Sequence, residues 1–248
     1  MPQPRIRMFA GPNGSGKSTI KDYLPPHQIG AYLNADELEK VLYATQSFSL
    51  YDYHSALSAE SLIQFLKLKK RKKGELIISL LSSEPIIQND GSIQFEAHEI
   101  DSYLAARIID FIRLEFLRLK ISFTFETVMS HISKVEFLRE ARKQGFKTYL
   151  YYVATVDPDI NIGRVHYRVF AGGHPVPEQK IRERYYRSLD LLMPAVEASN
   201  RTYIFDNSSD GQKASFIAEI EDAETLKLNP EIDFFPKWFV DKVLDEFG

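Results

Sequence analysis

The sequence contains no cysteine, which excludes disulfides and thiolate chemistry and fits a reducing compartment. It also lacks any apolar run approaching roughly 18–20 residues, so no membrane span is expected. The N-terminal stretch M-P-Q-P-R-I-R-M has no apolar core of the kind a secretion signal needs. A cytoplasmic enzyme is therefore the expectation. An excess of positive charge is missing too: Lys and Arg total 31 against 34 Asp and Glu, for a net charge of −3. The molecule as a whole is no polyanion binder, and any affinity for phosphate must be local. There is no internal repeat, no low-complexity segment and no Asn-Lys-x-Asp motif for reading guanine. What remains is an ordinary globular composition, 44% apolar and 26% charged. Its 248 residues suffice for one large α/β domain, or for a domain carrying an insertion.

The strongest positive signal lies between residues 5 and 19, R-I-R-M-F-A-G-P-N-G-S-G-K-S-T. Ile6, Met8 and Phe9 read as a short buried strand. Gly11-Pro12-Asn13-Gly14-Ser15-Gly16-Lys17-Ser18, followed by Thr19, then matches G-x-x-x-x-G-K-[ST], the phosphate-binding loop. The residue types follow from the chemistry. Gly11, Gly14 and Gly16 let the backbone bend until several N–H groups point into one concave nest. A helix opening near Lys17 adds its positive N-terminal end. Lys17 can reach the β- and γ-phosphates, and the Ser18 hydroxyl can ligate Mg²⁺. A nucleoside triphosphate is the expected ligand.

Further along, a helix over 18–24 is expected to stop at Pro25-Pro26. A short strand over 31–33 leads to Asn34, a good N-cap, and a helix through Tyr43. Asp36 in its first turn could accept a proton from an attacking hydroxyl, help hold Mg²⁺, or simply complement the helix dipole. Residues 45–96 read as an insertion. A helix over 55–70 ends in the basic run Lys67–Lys73, the apolar stretch 76–81 follows, and strands are expected over 86–88 and 93–95 around the turn Asn89-Asp90-Gly91-Ser92. The basic run has no interleaved aromatics and reads as a solvated helix end rather than a nucleic-acid patch. One helix is expected over 97–119 and a strand over 121–127 that carries Glu126 and Thr127 at its carboxyl end. Ser133 and Glu136 suggest a capping box. A strand over 147–154, a helix opened by Asp157-Pro158, and a final strand over 202–205 complete the pattern. Asp206 after that strand looks like an acidic strand end of the Walker B kind, but it comes too late in the chain for that role. Trp238, the only tryptophan, sits in a short amphipathic tail that reads as packing.

Residues 158–192 form a second region of interest. Arg164, Arg168, Lys180, Arg182, Arg184 and Arg187 face only Glu178 and Glu183 between Gly163 and Ser188. Two helices joined at Gly172-Gly173-His174-Pro175 have the build of a lid that closes over nucleotide. Guanidinium groups there could neutralise charge growing on a transferring phosphoryl group. His174 reads as a turn or packing residue, with no carboxylate partner in view.

The chain resembles the zeta-toxin-like phosphate-loop kinases. The residues that carry the likeness are G-P-N-G-S-G-K-S-T (11–19), N-A-D-E (34–37), F-T-F-E-T (123–127), G-R-V-x-x-R-V-x-x-G-G-H-x-V-P (163–177), I-R-E-R-Y-x-R-S-L (181–189) and Y-I-F-D-N-S (203–208). They cover about 1–44 and 97–210 and leave 45–96 unmatched. The resemblance implies a single α/β domain of the P-loop NTPase, kinase-type class: a parallel sheet flanked by helices on both faces, here with a helix–hairpin insertion. It implies ATP and Mg²⁺ as cofactors and phosphorylation of a small-molecule hydroxyl, such as one on UDP-N-acetylglucosamine. Chloramphenicol phosphotransferase is similar in build. By this likeness Asp36 would be the base, and Glu126 with Thr127 would hold the acceptor. Lys17 and Ser18 would bind phosphates and Mg²⁺, and Arg168 and Arg184 would clamp the phosphates. Arg164 or Arg182 could take the place of the second arginine. The family also admits a protein antitoxin as partner. The other readings are an ATP-gated interaction protein without an acceptor and a nucleic-acid-directed ATPase using Lys67–Lys73.

Overall fold

The computed structural model describes residues 3–67, 71–72, 75–76, 81, 83–171 and 175–247. The chain divides into two compact units, Met1–Gly30 with Ser122–Gly248, and Ala31–Ile121. The first unit opens with β1 (Arg5–Ala10), a 3₁₀ helix (Lys17–Tyr23) and α1 (Pro26–Ile29). The second contains β2 (Ala31–Leu33), α2 (Ala35–Thr45), β3 (Ser47–Ser49), α3 (Ala59–Lys67), β4 (Arg71–Lys72), β5 (Glu75–Leu76), β6 (Ile86–Ile87), β7 (Ser92–Gln94) and α4 (Ser102–Leu119). The first unit then resumes with β8 (Phe123–Thr127), α5 (Ser133–Lys143), β9 (Lys147–Ala154), α6 (Pro158–Phe170), α7 (Glu178–Asp190) and α8 (Leu192–Glu197). It ends with β10 (Arg201–Asp206), β11 (Ser215–Glu221), β12 (Thr225–Leu228) and a helical tail between Lys237 and Phe247.

The first unit is built on a sheet in which its strands follow the order β12-β11-β10-β9-β1-β8. The four strands from β10 to β8 are mutually parallel, and β11 and β12 add antiparallel to the β10 side. Ile6 to Ala10 of β1 are all buried, Arg7 included, as in a central parallel strand covered on both faces. Register brings Ala10 level with Thr127 on one side and Tyr152 on the other, while Asp206 pairs with Ala154. The carboxyl ends of β1, β8, β9 and β10 therefore finish at one edge, where ligands collect in open α/β sheets. This is an α/β fold of the phosphate-loop kinase type.

Packing fixes that edge. Phe125 is 1% exposed, and its ring meets Phe137 of α5 edge-on at 5.5 Å. Tyr152 is fully buried on β9, where its hydroxyl shares a hydrogen bond of 3.1 Å with Ser188 of α7; burial pushes its pKa well up. The Tyr185 hydroxyl donates to Thr155 O at 2.6 Å and ties α7 to the end of β9. Trp238 in the tail is buried and donates from Nε1 to Asp206 Oδ2 at 3.0 Å, while Asp206 Oδ1 accepts from Ser208 N. The Asp206 carboxylate is thus engaged in holding its own loop and the tail.

In the second unit, α4 presents Leu104, Ile108, Phe111 and Ile112 as a buried stripe and packs against α2 and α3. Asp101 caps it by accepting from Leu104 N at 2.7 Å. Strands β3, β7 and β6 form an antiparallel sheet. Its Asn89–Ser92 turn closes through Asp90 Oδ1 and the positive φ of Gly91, as its residue types predict. No helix among the described residues is long and apolar enough to cross a membrane.

Several local expectations are corrected. The turn after the phosphate loop is 3₁₀, because Thr19 N and Thr19 Oγ1 both bond Gly16 O and tighten it. The Asp101 cap separates α4 from a single 3₁₀ turn at Ala97–Glu99, so 97–119 is not one helix. Ser133 is the first residue of α5 rather than its cap, and its N–H donates to His131 Nδ1. β10 is not the final strand, since β11 and β12 follow it. Residues 77–80 of the apolar stretch 76–81 lie outside the described residues, as do 68–70 and 73 of the basic run and Gly172, Gly173 and His174.

Replacing Phe125 with Ala removes a buried ring from the face that supports β8. The expected loss is about 3–5 kcal/mol of unfolding free energy, read from urea denaturation.

Candidate functional site: the Gly11–Thr19 loop

The loop leaves β1 at Ala10 and is confined by three separate elements. A Cβ on Gly11, at φ +145°, would come within 2.0 Å of Val153 O at the end of β9. A Cβ on Gly14, at φ +75°, would sit 2.5 Å from Asn161 O in α6. One on Gly16, at φ +88°, would sit 2.2 Å from Asn207 Nδ2 beyond β10. Each glycine is required twice over, by backbone conformation and by the wall behind it.

Within the loop, Ser15 N donates to Pro12 O at 3.2 Å and closes a turn. The Ser15 side chain is fully buried, and its Oγ has no hydrogen-bond partner among the described residues. Lys17 Nζ reaches back to Gly11 O and Pro12 O, both at 3.0 Å. The ammonium therefore hangs across the mouth of the loop, where a bound anion would compete with those carbonyls for it. Ser18 is exposed, and its Oγ donates to Glu126 Oε2 at 3.4 Å. Glu126 lies one residue before the end of β8, level with Phe9. Thr127 is half-buried, and its hydroxyl accepts from Met129 N at 3.1 Å.

Helix α6 begins where Asp157 caps Asp159 N at 2.7 Å and Pro158 takes the first position. It packs on α7 through Ile162, Val165 and Ile181, with Val169 and Val176 alongside. The basic side chains of the pair then divide. Arg184 is half-buried and its Nη1 donates to Asn13 Oδ1 of the loop at 3.3 Å; burial and the neighbouring Arg187 lower its pKa. Arg164 is bound to the segment after β10, donating to Asn207 O at 2.6 Å, Ser209 O at 3.3 Å and Asp210 Oδ1 at 2.9 Å. Arg182 pairs with Asp159, and Arg187 pairs with Glu183 at 3.3 Å. Arg168 is on the exposed side of α6.

The first unit thus brings together Lys17, Ser18, Glu126 and Arg184 around the loop, while Asp36 belongs to the second unit. There Asp36 is exposed in the first turn of α2, and its N–H donates to Asn34 Oδ1 at 2.9 Å. Two residues at the loop were not singled out from the sequence. Asn161 and Asn207 hold it through side-chain hydrogen bonds to Asn13 O at 2.6 Å and Ser15 O at 2.8 Å. Asn207 falls in the Y-I-F-D-N-S segment, but nothing in its surroundings marks Asn161.

Taken together, the fold and the loop define a phosphate-loop α/β protein whose edge can hold a polyphosphate. No protein-family model matches the chain. An uncharacterized protein of Haemophilus influenzae is 32% identical over 65 residues, 26% of this chain and 46% of that protein. A crystal structure of AvrRxo1-ORF1:AvrRxo1-ORF2 with sulphate ions matches 92% of this chain at 14% identity and a TM-score of 0.51. A structure of AvrRxo1-ORF1:-ORF2 with ATP matches 91% at 13% identity and a TM-score of 0.52. The chain spans 62% and 60% of those two matched chains. At this level of identity the likeness is one of fold.

Two substitutions separate loop strain from ordinary helix propensity. Gly14→Ala is expected to lose about 1–3 kcal/mol of stability through its positive φ and the wall at Asn161. Gly163→Ala, an exposed position in α6 whose Cβ meets nothing within 4 Å, is expected to gain about 0.5–1 kcal/mol. Chemical denaturation of both variants reads the difference.

Proposed function

We propose that the chain is an ATP-dependent phosphotransferase acting on a hydroxyl of a small molecule. Its zeta-toxin-like motifs favour a nucleotide sugar such as UDP-N-acetylglucosamine as the acceptor. The observation that carries this reading is the meeting, at one loop, of Lys17, the Ser18–Glu126 pair and Arg184 from a different helix. A loop needed only for a tight turn would not require a second arginine-bearing helix against it.

The residues fit Mg·ATP. The orphaned Ser15 Oγ and three glycines walled in by β9, α6 and Asn207 make a cradle sized for backbone rather than side chains. Lys17 and the loop N–H groups would hold the phosphates, and Ser18, with Glu126 beside it, would hold Mg²⁺. When bound, ATP supplies the phosphoryl group to be transferred. Arg184 and Arg168 would neutralise charge as it grows on that group. Asp36 would receive the proton of the acceptor hydroxyl, and Glu126 and Thr127 would orient the acceptor. Positioning and charge neutralisation account for most of the catalysis in such a transfer. The matched AvrRxo1-ORF1:AvrRxo1-ORF2 structures each hold two proteins together. A protein partner for this chain, of the antitoxin kind, belongs to the same proposal.

The test is incubation with γ-labelled ATP, Mg²⁺ and a panel of nucleotide sugars, nucleosides and aminoglycoside-like alcohols, with mass detection of product. One phosphorylated acceptor is expected. Lys17→Ala and Asp36→Ala should each abolish transfer, while Asp36→Ala keeps nucleotide affinity within about twofold by calorimetry, since a base contributes to the reaction step rather than to binding. Wild-type turnover by Asp36→Ala would remove Asp36 from the mechanism. ATP hydrolysis with no phosphorylated product across the panel would favour an interaction protein.

A further inference from the structure

We infer that Asn161 and Asn207 are positioning residues of the phosphate loop, fixing the direction of its N–H donors by holding the carbonyls behind them. The inference rests on the phosphate-binding reading of the loop. In a planar trans peptide the C=O and the following N–H point in opposite directions. Asn161 Nδ2 donates to Asn13 O at 2.6 Å, so the N–H of Gly14 faces away from Asn161. Asn207 Nδ2 donates to Ser15 O at 2.8 Å, so the N–H of Gly16 faces away from Asn207. The two held peptides alternate along the loop. On this inference both freed N–H groups face the concave side of the loop, away from the two asparagines. An anion nest needs that arrangement, and an unsupported peptide would be free to flip out of it.

Both asparagines are themselves fixed. Asn161 is fully buried, and its Oδ1 accepts from Thr155 Oγ1, which leaves Nδ2 as the end that meets the loop. The backbone N–H of Asn207 donates to Ala154 O at 2.8 Å, and its carbonyl accepts from Arg164 Nη1 at 2.6 Å. This gives Arg164 a definite place in the relay: it holds Asn207, which holds Ser15 O. The contacts are tight on both sides, at 2.5 Å and 2.2 Å from the Cβ positions of Gly14 and Gly16, so the walls stand directly behind the two peptides. Aspartate at either position would offer an oxygen to a carbonyl oxygen and could not make the bond.

The experiment titrates wild type, Asn161→Asp, Asn207→Asp and the smaller change Asn207→Ala with inorganic pyrophosphate and with Mg·ATP by calorimetry. Thermal melting is recorded for each, and Leu138→Ala, a buried change in α5 away from the loop, serves as a control for lost stability. The wild type should bind both ligands. Each asparagine variant should lose about tenfold or more in affinity for both, the scale of one hydrogen bond, while Leu138→Ala melts earlier but binds as wild type does. The emission of Trp238, the sole tryptophan and a hydrogen-bond partner of Asp206 next to Asn207, should shift on ligand binding in wild type and less in Asn207→Ala. Asparagine variants that melt earlier yet bind pyrophosphate and ATP as wild type does would reduce these residues to structural packing and overturn the inference alone. A wild type that binds neither ligand would overturn the nucleotide reading, and this inference with it.

Discussion

The close approach of the Gly11–Ser18 backbone to Val153 O, Asn161 and Asn207 is the constraint on which the remaining features depend. It holds only if β1, β9 and β10 end at the same level and α6 starts directly after β9. Parallel pairing in the observed register meets the first condition, and the Asp157 cap with Pro158 meets the second. The tail reinforces this arrangement through Trp238, because the Asp206 carboxylate that it engages begins the segment containing Asn207. A side chain at any of the three glycines would collide with backbone or with a short amide, which cannot swing aside as the end of a long side chain would.

Charge is distributed by the same geometry. The α6–α7 pair is rich in arginine, yet Arg182 and Arg187 are matched to Asp159 and Glu183 on exposed surface, where such pairs add little stability. Arg164 is half-buried and makes three hydrogen bonds to a single segment, so it acts as a strut. Arg184 is different: it is partly desolvated, next to Arg187, and directed at the loop. A cation held in that way is under-compensated by protein groups and is available to an anion. Lys17 is bonded to two carbonyls of its own loop.

The fold class was legible from the sequence because phosphate-loop residue types are dictated by backbone geometry, and the buried parallel strands are rich in apolar and aromatic residues. The hairpin at Asn89–Ser92 was legible for the same local reason. β11 and β12 are less legible: β11 buries Ile217, Ala218 and Ile220 but carries Glu219 and Glu221 among them, and the four residues of β12 are mostly exposed. The start of α5 is misleading in sequence, because Ser133 and Glu136 satisfy the spacing of a capping box while His131 supplies the acceptor instead. At the site, the loop could be read directly, whereas the distinction between Arg164 as strut and Arg184 as loop contact could not. Both lie on basic helices, and only tertiary packing separates them. Asn161 is the limiting case, a polar residue buried in a helix whose role depends wholly on a loop 148 positions away.

The likeness to the AvrRxo1-ORF1:AvrRxo1-ORF2 structures extends over nine tenths of this chain but only about three fifths of the matched chains, and it concerns the fold that carries the loop. The loop's chemistry can be tested without knowing any acceptor. Calorimetric titration of the chain with ATP, ADP and AMP in the presence of Mg²⁺ asks whether the site reads phosphates. The account predicts affinity that falls stepwise as phosphates are removed, with the ATP advantage reduced in Arg184→Ala. Equal affinity for ATP and AMP, or no binding of ATP at all, would contradict it.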